Sequence, residues 1–451
     1  MKKLISYMML QLVGNRSAKG IILSHQLKYY RQFNQMQWKT LEENTDYQRR
    51  KVYQIVKFAI ENVPYYRDLQ ITEISEKTIF EDIKRFPVLT KDIIRREGER
   101  MLPECEVKDW TYWNQSGGTT GEPLKFMHSG AFFDAGQGVA LALDQWAGRK
   151  IGDKQIRLWG SERDIVSGKK DWMNKIYRWA RNEKFLNTFM MDDDKMESYL
   201  KEMDSYKPSM ILAYVQSLRE LALYAERSGR KLYSPKGIMT SAGTLTKEAA
   251  EYFAKKFQCP IINRYGSREA GPIACSCEKN EGLHINMLSN YVEVLDDQDK
   301  NCEYGQAGRI ILTLLGEYAM PLIRYDIGDS GVLTDRKCSC GRGLQLLDCV
   351  HGRRIDIFKT VDGRKVYGDY FTHLLYIVPQ VKQFQIIQNK IEHVTVKLVL
   401  NESNCNRDFI DELIMNIKKV LGEGVQVDIE EVDEIPPQKS GKRAYTISYV
   451  K

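Results

Sequence analysis

Long apolar runs are absent from this sequence of 451 residues. No stretch reaches the roughly 18 consecutive apolar residues of a membrane-spanning helix. The opening MKKLISYMMLQLVG combines basic residues with a short apolar run, but Gln11 interrupts it and no small-residue cleavage site follows. We therefore expect an amphipathic first helix, no transmembrane segment and a cytoplasmic protein.

Several familiar signatures are also missing. The chain has no GxxxxGK[ST] loop, no GxGxxG turn and no GxSxG elbow, so nothing supports a Walker-type ATPase or a serine hydrolase. No nucleic-acid-binding motif is present, and the net charge of +7 is spread along the chain. This balance fits an anionic substrate better than nucleic acid. Four histidines lack the spacing of a triad or facial metal site, and we expect structural or surface roles for them: His128, His351, His373 and His393.

The composition describes a soluble globular protein, with 43% hydrophobic and 28% charged residues. A chain of this length exceeds one ordinary core and predicts two to four domains or lobes. The oligomeric state is left open between monomer and homodimer.

The hydrophobic pattern changes along the chain and predicts its organisation. Residues 1 to about 100 have helical periodicity, and 101–270 alternate short apolar strands with amphipathic helices, which favours a layered α/β unit with parallel strands. Residues 271–350 are rich in short strands and turns and predict a β subdomain. The fold class is therefore α/β, with a large multi-lobed N-terminal domain (1–352) and a small mobile α+β C-terminal domain (357–451), hinged near 353–356.

The stretch NQSGGTTGEP combines flexible backbone with hydroxyl donors, a composition that suits a bound polyphosphate. Taken alone, an ordinary surface loop explains it equally well.

Four further stretches could handle ATP. In NRYGSREAG, Tyr265 could stack on adenine and Glu269 could hold magnesium, because both follow a strand. In IRYDIGD, Asp329 could accept hydrogen bonds from ribose. GRRID offers Arg353, and PPQKSGKRAY offers Lys442 beside Lys439 and Arg443 for pyrophosphate charge. Each has a plain alternative: a surface glutamate, a turn aspartate, a charged linker or solubilising lysines.

The order and spacing of these five motifs resemble the adenylate-forming (ANL) superfamily of acyl-CoA synthetases and adenylation domains. Within it, the similarity points to the phenylacetate–CoA ligase branch and to CapK-type proteins of polysaccharide gene clusters. It covers nearly the whole chain, from VPYYR (63–67) through WAGRKIGDK (146–154) to SGKR (440–443).

The resemblance implies roles for individual residues. Lys442, Glu269 and Thr119 would be catalytic, Glu269 as the magnesium ligand, and Asp356 would be the hinge about which the C-terminal domain swings. The residues that the resemblance places around ATP or AMP are Ser116, Gly117, Gly118, Thr119, Thr120, Gly121, Ser241, Ala242, Gly243, Tyr265, Gly266, Ser267, Asp329 and Arg353. Two departures concern fine contacts: Leu124 and Lys125 follow Pro123 where many members have lysine directly, and the ribose motif is YDIGD instead of YRTGD.

Four of the nine cysteines form two CxC pairs, and Cys277, Cys338 and Cys340 together with His284 make a donor set typical of a closed structural zinc site. Cys275 could replace Cys277, and free thiols packed as small hydrophobes are the alternative. The CxCxR pattern and the adjoining GLH are similar to zinc-containing members of the branch.

The expected function is an ATP-dependent ligase that converts a small carboxylic acid to acyl-AMP and transfers the acyl group to coenzyme A, an amine or a sugar hydroxyl. The acceptor is left open, and so is a role in surface polysaccharide biosynthesis. Phe132 and Tyr214 are candidates for the acyl pocket, with core packing as the simpler interpretation. The competing hypothesis is a catalytically inactive, zinc-stabilised binding or scaffold protein.

Overall fold

The structure is a computed structural model. It describes residues 6, 8, 25–116, 124–159, 178–179, 181–188, 191–353, 357–376, 378, 380–401, 407–436 and 444–450.

Short helices make up the first part of the described chain. They are Gln26–Met36 (α1), Leu41–Asn62 (α2), Pro64–Arg67 (α3), Ile79–Asp82 (α4) and Lys91–Glu97 (α5), with 3₁₀ turns at Ile83–Arg85 and Gly98–Met101. A capping box begins α2: the Thr40 hydroxyl accepts the Glu43 N–H at 3.2 Å, and the Glu43 carboxylate accepts the Thr40 N–H at 2.8 Å. This box sets the register in which α2 buries its apolar stripe.

A hairpin and a long helix precede the main sheet. The strands Thr111–Gln115 (β1) and Lys125–Ser129 (β2) pair antiparallel, and the helix Gly130–Asp144 (α6) follows directly. The Ser129 hydroxyl accepts the Phe132 N–H at 3.3 Å and caps this helix. Gly138 lies where α6 crosses α1, since a Cβ there would stand 2.5 Å from the Gln26 carbonyl oxygen.

Five parallel strands form one half of the main sheet. They are Gln155–Leu158 (β3), Glu183–Leu186 (β4), Met210–Tyr214 (β5), Gly237–Ser241 (β6) and Ile261–Ser267 (β7). Within the described ranges, three helices connect them: Asp193–Tyr206 (α7), Val215–Ser228 (α8) and Lys247–Phe257 (α9). Every residue of β5 and β6 is buried, as expected for strands covered on both faces.

Six further strands complete the same sheet. They are Gly271–Ser276 (β8), Leu283–Ile285 (β9), Asn290–Leu295 (β10), Ala307–Leu314 (β11), Tyr325–Thr334 (β12) and Leu346–Arg353 (β13). The eleven strands run in the order β10-β11-β12-β13-β9-β8-β7-β6-β5-β3-β4. The β7–β8 hairpin therefore makes the β-rich part continuous with the parallel half.

The C-terminal part forms its own α+β layer. Its elements are Ile357–Lys359 (β14), Lys365–Tyr367 (β15), Gly368–Tyr376 (α10), Val381–Lys390 (β16), His393–Leu400 (β17), Asp408–Leu421 (α11), Gln426–Glu431 (β18) and Thr446–Ser448 (β19). Four of these strands pair in the order β18-β17-β16-β19. The α/β class with an α+β C-terminal unit is confirmed.

Arg219 on α8 joins the two parts. Its side chain is fully buried, and its guanidinium donates to the carbonyl oxygens of Val381 at 3.2 Å and Lys382 at 3.1 Å. It also lies 5.8 Å from the ring centroid of Phe384. Across the residues that the structure describes, no helix combines the length and apolar character needed to span a bilayer.

Candidate functional site

The adenine and ribose candidates meet through one hydrogen bond. Tyr265 on β7 donates its hydroxyl proton to Asp329 on β12 at 2.7 Å, and Asp329 is 7% exposed. The backbone of Asp329 pairs with that of Arg353 across β12 and β13. Three residues from separate motifs thus converge although 64 positions separate Tyr265 from Asp329.

Glu269 lies in the turn between β7 and β8. Its side chain is 3% exposed, and Oε1 accepts the Tyr325 hydroxyl at 3.3 Å. Gly266 is required for the approach of the two strands, because a Cβ there would stand 2.5 Å from the Gly271 carbonyl oxygen. Next to it, the Ser267 hydroxyl accepts the Ala270 N–H at 3.1 Å and closes the turn. One buried carboxylate is therefore presented on a constrained hairpin.

His128 supports this hairpin from β2. Its Nε2 lies 3.1 Å from the Arg268 carbonyl oxygen and its Nδ1 lies 2.9 Å from Oε2 of Glu317. The Glu317 carboxylate also accepts the backbone N–H groups of Ser129 at 3.0 Å and Ala319 at 2.9 Å. Both ring nitrogens therefore lie within hydrogen-bond distance of an oxygen atom. No local sequence signal exists for this pair, because 189 positions separate its members.

The ends of the candidate phosphate loop are tied together. The Ser116 N–H donates to the Leu124 carbonyl at 2.9 Å, and the Leu124 N–H donates to the Ser116 hydroxyl at 2.9 Å. Ser116 thus closes the loop and keeps its own hydroxyl proton for another acceptor. Arg268 donates to the Gln115 carbonyl at 3.4 Å, which brings the base of the loop beside the Glu269 hairpin.

The Ser241–Gly243 segment follows the carboxyl end of β6. Ala242 has φ of +60°, a left-handed conformation that is uncommon for residues other than glycine. A Cβ on Gly243 would approach the Val215 Cβ to 3.2 Å, and one on Gly352 would approach the Thr244 hydroxyl to 3.1 Å. The turn is therefore packed between α8 and β13, the strand that ends at Arg353.

Cys277, His284, Cys338 and Cys340 come together in a single cluster, in which one ligand atom of each residue lies within 4.8 Å of all the others. The sulfurs of Cys277 and Cys338 are 3.6 Å apart, and the Cys340 sulfur is 3.4 Å from His284 Nε2. In a tetrahedral zinc site with Zn–S bonds near 2.3 Å, two sulfurs stand roughly 3.8 Å apart. The donor set and its spacing therefore fit Zn²⁺.

The surroundings of this cluster favour metal-binding forms. Burial, and then the charge of Arg342, lower the pKa of His284 to about 4, which keeps the imidazole neutral. Burial of Cys275 raises the pKa of its thiol far above the ordinary range, and its sulfur lies outside the cluster. Cys277 is thus the better candidate of the two.

The two candidates for the acyl pocket lie on different elements, Phe132 on α6 and Tyr214 on β5. Phe132 is 5% exposed and stacks on His128 with ring centroids 5.2 Å apart. Tyr214 ends β5 and packs on Trp159 with centroids 4.1 Å apart.

The comparisons with known proteins extend over almost the whole chain. Residues 358–449 match the family described as the CapK C-terminal domain. The chain is 24% identical to protein CapK of Staphylococcus aureus over 90% of this chain and 89% of that protein. It is 23% identical to phenylacetate-coenzyme A ligase of Pseudomonas putida over 83% and 87%.

These similarities support the resemblance to the adenylate-forming superfamily. Within it, the matches to CapK and to the CapK C-terminal domain support the CapK-type branch. A solved structure of 2-hydroxyisobutyryl-CoA ligase, in the postadenylation state with R3-HIB-AMP, has the same fold with a TM-score of 0.73, 17% identity and coverage of 93% and 92%. The same ligase in its thioesterification state gives a TM-score of 0.59.

Several residues for which the resemblance implies a role lie outside the described residues. They are Gly117, Gly118, Thr119, Thr120 and Gly121 of the phosphate loop, Asp356 of the hinge, and Lys442. Only the backbone of Arg353 is described. The geometry above thus concerns the floor and the ribose side of the candidate nucleotide site.

Proposed function

We propose that the protein is an ATP-dependent, AMP-forming ligase that activates a small carboxylic acid. The observation that carries this proposal is the hydrogen bond between Tyr265 and Asp329 near the carboxyl end of β7, with Glu269 in the turn that follows this strand. In open α/β sheets this edge is where nucleotides bind. The similarity to CapK and to phenylacetate-coenzyme A ligase over most of the chain supports the same reaction class.

The reaction needs positioning and charge neutralisation from the protein. A carboxylate oxygen would attack the α-phosphate of ATP and displace pyrophosphate, which leaves the acid as a mixed anhydride with AMP. Tyr265 would stack on adenine while Asp329 accepts hydrogen bonds from ribose. Glu269 would hold Mg²⁺, which supplies positive charge to the phosphates when bound.

The remaining groups would act on the phosphates and on the leaving group. Ser116, with Thr119 and Thr120, would donate hydroxyl hydrogen bonds, and Lys442 would neutralise pyrophosphate as it leaves. Because Lys442 belongs to the C-terminal part, that part would close for adenylation and swing about Asp356 for acyl transfer. A nucleophile would then displace AMP from the acyl carbon.

The second half-reaction would transfer the acyl group to coenzyme A or to an amine or hydroxyl acceptor. The similarity to phenylacetate-coenzyme A ligases supports coenzyme A. The resemblance to CapK-type proteins of polysaccharide gene clusters leads us to keep a sugar or amine acceptor as the alternative. Product analysis with coenzyme A, amino sugars and simple amines, after the acid is known, separates these acceptors.

Pyrophosphate exchange over a panel of carboxylic acids tests the first half-reaction. We expect exchange with at least one acid and a loss of about a hundred- to thousandfold in Lys442→Ala. Lys419→Ala, an exposed lysine of α11, is the matched control and should leave the rate unchanged. Absence of exchange with every acid, in folded protein, would instead favour the binding or scaffold hypothesis.

We also propose that Cys277, His284, Cys338 and Cys340 hold a structural Zn²⁺. With four protein ligands no position stays open for catalysis, so the metal would fasten the loop after β8 to the loop before β13. Elemental analysis should find one zinc per chain, and Cys338→Ser should lose it. Cys105→Ser, which removes an exposed thiol elsewhere, is the control. Purified protein without stoichiometric zinc would refute this assignment.

A further inference from the structure

One face of the parallel half of the sheet carries arginines in excess of carboxylates. The backbone pairing of β3, β5, β6 and β7 aligns one residue from each strand near the carboxyl ends. Continued by one residue at the outer strands, this register places Trp159, Tyr214, Ser241 and Arg264 side by side. Residues paired in register point to the same face of a parallel sheet, and Arg157, two positions before Trp159, joins them.

Helix α6 covers this face. The core cluster formed there contains, from the helix and from the strands beneath it, Phe132, Val139, Ala142, Leu143, Leu212, Met239 and Ile262. Side chains two positions apart on a strand share a face. Tyr214 therefore lies on the same face as Leu212, and Arg264 lies on the same face as Ile262. Arg264 therefore points to the same face of the sheet as Tyr214, the face that α6 covers.

Arg264 lacks a partner for its charge. Among the described residues its guanidinium makes no hydrogen bond and no ion pair, although the side chain is partly buried. Burial first, and then the nearby Arg157, lower the pKa of Arg264. Leaving a desolvated guanidinium without acceptors costs free energy unless a ligand supplies them.

The neighbouring carboxylates are already bound by other arginines. Asp144 pairs with Arg149 at 2.6 Å, and Glu183 pairs with Arg181 at 2.8 Å. Arg157 reaches Glu183 only at 3.6 Å, and its Nε is a buried atom without a hydrogen-bond acceptor in the described part of the chain. Four guanidinium groups thus share two carboxylates in this cluster.

We propose that Arg264, with Arg157 behind it, binds a second anionic group of the acid that is activated. The substrate class is then an acid with a distal carboxylate, phosphate or sulfonate, because a guanidinium fork matches such oxyanions with two parallel hydrogen bonds. Arg264 directly precedes Tyr265 on β7, so the backbone that carries it adjoins that of the adenine candidate. This inference rests on the proposed ligase function for the identity of the bound acid.

Matched acids test the proposal in the exchange reaction. The pairs are butyrate with glutarate, benzoate with isophthalate, and glycerate with 3-phosphoglycerate, which differ in one anionic group. We expect at least one dianionic acid to exceed its partner in kcat/KM by about a hundredfold. Arg264→Met should abolish this preference and leave the monoanionic partner unaffected or improved, whereas Arg264→Lys should keep part of it.

Calorimetric binding of glutarate, isophthalate and 3-phosphoglycerate without ATP separates this proposal from the ligase function. If an acid binds, Arg264→Met abolishes this binding and no exchange occurs, the anion site is supported and the ligase function is refuted. If exchange occurs with equal kcat/KM for the two acids of each pair, and Arg264→Met leaves these values unchanged, the ligase function is supported and the anion site is refuted. If neither binding nor exchange depends on Arg264, the anion site is refuted as well. Circular dichroism verifies folding, and Lys255→Met on α9 controls for loss of a surface charge.

Discussion

At the scale of single residues, the site depends on hydrogen bonds between groups that are distant in sequence. The bond from Tyr265 to Asp329 joins two motifs, and the bond from Tyr325 to Glu269 fixes the candidate magnesium ligand. Both acceptors are buried carboxylates, so both bonds are stronger than exposed ones.

Tyr265→Phe should raise KM for ATP about tenfold, because the phenyl ring keeps stacking on adenine while Asp329 loses the donor that orients it. Exchange kinetics at varied ATP measure this. Tyr252→Phe removes a hydroxyl that donates to Glu226 at 3.0 Å on the surface, and it should have no effect. An unchanged KM in Tyr265→Phe would argue against nucleotide binding at this pair.

His128→Leu should destabilise the protein by about 3–5 kcal/mol, because the charge of Glu317 then stays buried without its partner. Urea unfolding measures the loss. His393→Leu removes a partly exposed histidine that lies 2.7 Å from Asp428, and it should cost less than about 1 kcal/mol. The double variant His128→Leu, Glu317→Leu should recover part of the stability.

Structural and positioning roles of His128 are distinguished by magnesium dependence. If His128 holds the Glu269 hairpin, His128→Leu should require more Mg²⁺ for half-maximal exchange, even where the protein is fully folded. An unaltered Mg²⁺ requirement would restrict His128 to stability.

At the scale of elements, the edge of the parallel half is held by charges as well as by backbone pairing. Glu183 on β4 is buried, and burial alone would raise its pKa. The guanidinium groups around it, from Arg181, Arg157 and Arg149, nevertheless lower the pKa to about 2 from 4.5. Short strand β4 was not predicted from the sequence, since EKFL has no distinctive pattern and the register with β3 depends on these contacts.

Glu183 should make stability depend on pH. A carboxylate with a lowered folded pKa stabilises the fold above its unfolded pKa, and this contribution disappears as the pH falls from about 4.5 toward 2. A difference of this size corresponds to about 3 kcal/mol. Urea unfolding between pH 6 and 2.5 should show a shallower acid loss in Glu183→Gln than in the parent. Parallel curves for the two proteins would contradict this assignment.

At the scale of the whole molecule, Arg219 joins the N-terminal part to the C-terminal sheet. Its two hydrogen bonds to Val381 and Lys382 satisfy backbone carbonyls at the start of β16. A buried charge at this place makes the contact specific to one arrangement of the two parts.

Arg219→Met should loosen this contact. The free energy of unfolding should fall by at most about 2–3 kcal/mol for each buried hydrogen bond that the guanidinium makes. Limited proteolysis should then cut faster between the two parts, and small-angle scattering should report a larger radius of gyration. Arg227→Met, on the same helix but partly exposed, should resemble the parent. Equal cleavage rates in all three proteins would exclude Arg219 from holding the arrangement.

Much of the fold followed from local pattern. The helix that ends at Gly229, the buried strands β5 and β6, and the helix α11 all have periodicities that a single segment shows by itself. The cysteine–histidine set was also predictable, because residue type and spacing restrict the metal chemistry. What local pattern could not predict was the continuity of the β-rich strands with the parallel half, since strand pairing joins segments far apart in the chain.

The sequence by itself determined the class of fold, the motifs that could meet a nucleotide and the cysteine and histidine candidates for a metal site, because each depends on residue type and short spacing. Only the tertiary structure decided that His128 lies beneath the Glu269 hairpin, that Cys277 instead of Cys275 joins the cluster, and that Arg264 has no partner among the described residues. These outcomes depend on which face each strand turns toward its neighbours, and that is settled by packing over the whole chain.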